Sequence, residues 1–237
     1  MTEGLEIRRD GTTLIATVAH GAENSFSNEM IDALQDAVVA ASRDGSTRFA
    51  RIRALGDVFC LGRERAATTV DGLREEAERI VRLNETLATA PLVVISEVNG
   101  DAAAFGCGIV ASSDIAVASE SARFWFPEIT IGLAPTVVIG WASKLRPEKR
   151  TFDMVVTGEP IDAATAVAIG LVTETVPPAR VAERVAERIG TMERLDAEAI
   201  RGVKRFFARV RTMDAATAAE ASVDPLVLGA LRLRLTE

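Results

Sequence analysis

From Pro91 to Pro135 the chain reads PLVVISEVNG DAAAFGCGIV ASSDIAVASE SARFWFPEIT IGLAP, and the start of this run narrows the possible folds most. The apolar residues Leu92 to Val98 end at Asn99-Gly100, the pattern of a buried strand followed by a turn. The small residues Ala102 to Ala104 then let backbone approach backbone, and Phe105-Gly106 opens a helical segment towards Ser113. A second short strand, Ile115 to Ala118, follows Asp114. Beyond it come an aromatic cluster (Phe124, Trp125, Phe126) and the pair Pro127-Glu128. A strand, a small-residue turn and a helix N-terminus together form a place where free N–H groups and the helix dipole hold negative charge.

Around this centre the pattern is mixed. Leu5 to Arg9 and Thr13 to Ala19 alternate as a hairpin across Asp10-Gly11. Ile31, Leu34, Val38 and Ala41 recur at helical spacing, predicting a helix from about Glu29 to Arg43. Phe49 to Leu55 reads as a strand, and Leu73 to Leu87 as a charged, amphipathic surface helix. Helices are expected over Val137 to Leu145, Pro147 to Val156, Asp162 to Ile169, Arg180 to Ile189, Ala197 to Val210 and Ala215 to Ala221. Strands alternating with helices, then helices alone, define an α/β class. The division expected is a core over 1–178 and a helical C-terminal region over 179–237.

Composition removes several functions. With 34 acidic and 27 basic side chains the net charge is −7, which argues against a nucleic-acid partner. No apolar run approaches the length of a membrane span, and Met1 to Asp10 is charged where a signal peptide is apolar, so the cytoplasm is the default expectation. Two cysteines, Cys60 and Cys107, are too few for a disulfide framework, and no Cys/His spacing suggests a metal. The single histidine, His20, sits in a loop-like stretch. A Ser-His-Asp hydrolase is therefore disfavoured, and proton transfer falls to a carboxylate.

The central block, from Asn99-Gly100 to Asp114, resembles the signature of the crotonase, or enoyl-CoA hydratase/isomerase, superfamily, N-G-x-A-x-G-G-G-x-x-L-A-x-x-x-D. Ala122, Phe124, Pro127 and Glu128 are similar to its A-x-F-x-x-P-E, and Gly132, Leu133 and Pro135 to its G-L-x-P. Phe59-Cys60-Leu61-Gly62-Arg63-Glu64 resembles F-x-x-G-x-D upstream. Thr157-Gly158 through Gly170-Leu171-Val172 resembles T-G-x-x-x-x-A-x-x-A-x-x-x-G-L-V downstream.

The resemblance implies a ββα-spiral core with a helical trimerisation region, a homotrimer or a dimer of trimers, and an acyl-CoA thioester as substrate with no permanently bound cofactor. It implies an oxyanion hole made by the backbone N–H groups of Arg63 and Phe105, whose side chains are free to vary. Glu128 is the implied acid/base, and burial among Phe124, Trp125 and Phe126 would move its pKa upwards. CoA is expected over Cys60, Leu61, Arg63, Glu64 and Arg65, with Asn24 and Phe26 near its adenine, and the acyl pocket at Gly108, Trp125 and Thr136. Lys204 and Arg205 are candidates for a phosphate, although such residues commonly form a solvated face. Thr136 also reads as a helix cap, and Glu64 as a second carboxylate facing the pocket.

The chain departs from the family pattern in several places, among them Arg63 and Thr136 to Ile139, where many relatives carry a glycine-rich turn after the proline. Phe105 replaces a glycine, Gly108 stands where two-glutamate hydratases carry their other carboxylate, and the tail from Asp224 lacks the usual E-G-x-x-A-F. Isomerisation needs one base, so Glu128 alone suffices for it. A one-glutamate hydratase, a decarboxylase- or hydrolase-type relative, and a non-catalytic acyl-CoA-binding or assembly protein are the other readings.

Overall fold

A computed structural model describes residues 2–142 and 145–236. Strands β1 (Leu5–Asp10) and β2 (Thr13–Val18) precede helix α1 (Asn28–Arg43). Strands β3 (Phe49–Ala54) and β4 (Val58–Cys60) precede α2 (Val70–Thr89), and β5 (Val93–Val98) and β6 (Asp101–Ala103) precede α3 (Phe105–Ser112). Strands β7 (Ile115–Ser119) and β8 (Arg123–Trp125) lead through a 3-10 turn, Pro127–Ile131, to α4 (Thr136–Ala142). The rest is α5 (Glu148–Thr157), β9 (Ile161–Asp162), α6 (Ala163–Ala168), β10 (Glu174–Val176), α7 (Val181–Glu193), α8 (Ala197–Val210) and α9 (Ala215–Thr236).

Each strand–strand–helix turn from β3 onwards gives one strand to each of two sheets. The larger sheet runs β1-β2-β3-β5-β7-β10 and the smaller β4-β6-β8-β9. Pairing is parallel from β2 through β10, with only the β1–β2 hairpin antiparallel in the larger sheet. Parallel strands are covered on both faces, which is why β5 is buried along its whole length. One face meets Leu34, Leu83, Leu87 and Phe105 in the main core; the other meets Val181, Val185 and Ile189 of α7.

The two sheets meet at a close crossing. A Cβ at Gly100 would lie 1.8 Å from the Asp57 carbonyl oxygen, and one at Gly106 2.1 Å from that of Cys60. Only glycine permits that approach, and it brings the start of α3 against the end of β4.

Several expected boundaries shift. Ala102 to Ala104, expected as a turn, is largely the short strand β6, and the aromatic cluster begins inside β8. α2 starts three residues before the expected Leu73, capped by the Thr69 hydroxyl on the Gly72 N–H at 3.1 Å. The expected helix Val137 to Leu145 begins at Thr136, and positions 143 and 144 of it lie outside the described residues. The helix expected to end at Ala221 continues to Thr236 through Pro225. Val203 and Phe207 of α8, with Leu226, Leu228 and Leu231 of α9, are exposed.

Candidate active site

The loop after β4 is held from two directions. Phe26 and Arg63 form a parallel bridge, in which the Phe26 N–H donates to Gly62 O at 3.1 Å and the Glu64 N–H to Phe26 O at 2.8 Å. That pattern uses the Gly62 carbonyl and the Glu64 N–H and leaves the Arg63 N–H without an internal acceptor among the described residues. From the other side Glu76 of α2, buried, accepts from the Ala66 and Ala67 N–H groups at 3.1 and 2.9 Å and pairs with Arg63 Nη1 at 2.6 Å.

Burial alone would raise the Glu76 carboxyl. The hydrogen bonds from Arg63, Ala67 and Ala66, with the Arg63 charge, bring it down to about 2 instead. A depressed carboxyl contributes stability above its ordinary value of 4.5 and loses it as pH falls towards 2. Glu76→Gln is therefore expected to cost roughly 1–3 kcal/mol at pH 7. In urea denaturation, the gap to wild type should narrow steadily as pH drops below 4.5; a gap independent of pH would contradict the ionic account.

The second amide is set by an unusual residue. Ala104 has φ 50° and ψ −116°, a conformation that costs a non-glycine residue about 1–3 kcal/mol. Its N–H donates to Trp125 O at 3.1 Å, fixing the turn. Phe105 follows as the first residue of α3, with no side-chain cap and no internal acceptor for its N–H among the described residues. A Cβ at Gly62 would lie 3.9 Å from the Ala104 Cβ, so the residues preceding the two free amides are in contact.

Glu128 occupies the 3-10 turn after β8. The turn is closed by Gly132 in the left-handed region, with the Leu133 N–H donating to Glu128 O at 3.0 Å. Gly158, at φ 68°, packs against it, where a Cβ would lie 2.8 Å from Ile129 Cγ2. Glu128 Oε2 is buried and has no partner among the described residues. Burial raises this carboxyl above its ordinary value, offset in part by its own backbone N–H and by the charges of Arg65 and Arg63. Its charge in turn bears on the buried Cys107 thiol in the first turn of α3. An acid with an elevated pKa, two cations and two unpaired amides thus share one region.

Several expected site residues have other work. Asn24, with a buried side chain, accepts from the His20 N–H and donates to Leu55 O and Val58 O at 3.0 and 2.8 Å, so it braces the β3–β4 turn and offers nothing to an adenine. Phe26 is core, edge-on to Phe105 with centroids 5.2 Å apart. Phe105 therefore fills the space beside Phe26. Cys60 is fully buried, its thiol pushed up to about 12 by that burial while donating to Gly62 O. Leu61 is half-buried, and its N–H donates to Glu23 O.

The Arg63 guanidinium, tied to Glu76, is not available to a CoA phosphate. Glu64 is exposed and pairs with His20 Nε2 at 2.8 Å, so it is no second acid facing the pocket. Arg65 is exposed and has no ion pair among the described residues. Gly108 faces Asn84 and Val138. The Trp125 ring lies under the Arg123 guanidinium, which is 6.0 Å from the ring centroid, and the Trp125 carbonyl accepts from the Ala104 N–H and the Cys107 thiol at the α3 turn. Thr136 is exposed at the start of α4. Lys204 is buried against Asp114, and Arg205 pairs with Glu198, so neither awaits a phosphate. Sequence reasoning missed Glu76 and Asn84, both on the buried side of a helix read as a surface element. Among the described residues no group of three His, Cys, Asp or Glu could hold a metal, and no helix is long and apolar enough to cross a membrane.

Two sheets, a strained turn into a short helix and an acid whose Oε2 is buried without a partner among the described residues define an α/β protein of the crotonase type. Residues 10–226 match the model of the enoyl-CoA hydratase/isomerase family, and the chain belongs to that family. It is 39% identical over 161 residues to the mitochondrial enoyl-CoA hydratase domain-containing protein 3 of Xenopus laevis, covering 65% of this chain and 54% of that protein. The rat counterpart is 31% identical over 197 residues, 79% and 65% of the two chains, so the match spans less than two thirds of these relatives. The 2,3-dehydroadipyl-CoA hydratase of Escherichia coli is 28% identical over 215 residues, 86% and 81%. Among solved structures, an enoyl-CoA hydratase of Mycobacterium smegmatis superposes with a TM-score of 0.90 at 27% identity, over 96% of this chain and 91% of that one.

Proposed function

We propose that this chain is an acyl-CoA enzyme of the enoyl-CoA hydratase/isomerase type, acting on a thioester through an enolate. The N–H groups of Arg63 and Phe105 receive the thioester oxygen, where negative charge develops, and Glu128 moves the proton. The observation that carries this reading is Glu128 Oε2, buried and unpaired beside the α3 turn. A carboxyl held in that way has a raised pKa, which suits it to both taking and returning a proton. Backbone donors fixed before reaction are worth most where water is excluded. Arg65, exposed and without an ion pair among the described residues, supplies a cation for the anionic part of CoA.

The test is a panel of 2-enoyl-, 3-enoyl- and malonyl-type CoA thioesters, scored for turnover and for a rise in melting temperature. Turnover of an enoyl ester is the expected result. A rise in melting temperature without turnover of any ester would favour a non-catalytic binder instead.

A further inference from the structure

Asn84 is fully buried on the inner side of α2, yet neither its Nδ2 nor its Oδ1 has a partner among the described residues. Leaving such a group unsatisfied is costly, so a native core that keeps one has a use for it. The amide faces Gly108. A Cβ there would lie 3.5 Å from Nδ2, 4.0 Å from Oδ1 and 4.0 Å from Val138 Cγ2. The space beside the glycine is thus bounded by an amide and a methyl group. It suits a water molecule better than a branch of an acyl chain. One water can accept from the amide N–H and donate to its C=O. Gly108 lies one turn along α3 from the free Phe105 N–H and next to Cys107, whose thiol senses Glu128.

We propose that Asn84 holds the water that adds to an enoyl thioester, which makes the reaction a hydration. This rests on the acyl-CoA reading above. The water oxygen forms a bond to C3 while the C2–C3 π electrons move towards the carbonyl, whose oxygen is held by the Arg63 and Phe105 amides. One water proton passes to Glu128. The enolate then collapses and C2 takes a proton from Glu128, giving a 3-hydroxyacyl thioester with no net oxidation or reduction. Asn84 exchanges no proton; it orients the oxygen lone pair and leaves one O–H for Glu128.

The test uses the full chain and two assays. Hydration of crotonyl-CoA is followed by loss of enoyl thioester absorbance. Exchange of the C2 protons of butyryl-CoA in D2O, followed by NMR, needs the amides and Glu128 but no added water. Asn84→Leu is expected to lower kcat for hydration roughly 10²-fold, with KM and C2 exchange changing less than about threefold. Gly108→Ala places a methyl at ordinary contact distance, keeps Asn84, and is expected to lower the ratio of hydration to exchange about tenfold or more. It serves if Asn84→Leu does not fold. An unchanged ratio in either folded variant would overturn the assignment, as would equal losses in both assays. A wild-type protein that exchanges C2 protons without hydrating would overturn this inference alone. One that does neither would remove the acyl-CoA reading as well.

Discussion

Replacing Glu128 with glutamine is expected to lower turnover of an enoyl thioester by roughly 10²–10⁴-fold, the range for loss of a positioned acid/base. Glutamine keeps the shape of the 3-10 turn, which Gly132 and the Leu133 N–H close through backbone bonds. It also removes a carboxyl whose Oε2 is buried without a partner, so the fold should be unharmed or slightly stabilised. A loss of kcat with CoA affinity retained is therefore the signature, read by steady-state rates and by melting-temperature shifts with a product thioester. The pH profile gives a second measure. Burial places the Glu128 pKa above the ordinary 4.5, and the base must be ionised to accept the first proton. Activity should fall on the acid side at a pH above 4.5 in wild type, and this limb should vanish in the variant. Full activity in Glu128→Gln would remove this residue from the mechanism.

The second large effect is on stability. Lys204 of α8 is buried, with Nζ donating to Asp114 Oδ2 at 2.5 Å and Leu87 O at 3.0 Å; the same carboxylate oxygen accepts from the Val94 N–H at 2.8 Å. One lysine thus joins the C-terminal helices to α2 and to the α3–β7 turn. Lys204→Ala leaves Asp114 with a buried, unmatched charge and should cost about 3–5 kcal/mol. The double variant Lys204→Met, Asp114→Leu removes both charges and should recover part of that loss. Chemical denaturation of the three proteins checks both statements. A single variant within about 1 kcal/mol of wild type would mean that the pair is solvated.

Periodicity and turn chemistry gave the long elements. α1 and α8 are found within a residue of their expected limits, because their apolar faces repeat at 3.6 and acidic or hydroxyl caps precede them. The strands β6, β8 and β9 have three, three and two residues, too few for any alternation to register. α9 runs well past the expected Ala221, and through Pro225, a residue that lacks an N–H and normally ends a helix. At the site, Glu128, Arg63 and Phe105 were legible through the resemblance, since each falls in a spaced block. The same resemblance puts Asn24 and Phe26 near the adenine of CoA, yet their side chains are spent on the β3–β4 turn and the core. Glu76 and Asn84 were illegible. Each is one polar residue on a charged helix, and only the path of the loop beyond Arg63 and the glycine at 108 give them a partner or a purpose.

The crossing of the two sheets has a consequence for how such a chain can diverge. The atoms that would hold the oxygen are peptide nitrogens, so positions 63 and 105 can change identity at little expense, as arginine and phenylalanine there illustrate. The burden of inheritance falls on the neighbours instead: Gly106, which leaves no room for even a methyl beside the Cys60 carbonyl, and Ala104, where a β-branched residue would abandon the turn. Lineages of this chain should therefore vary most at the donors themselves and least at the silent residues next to them.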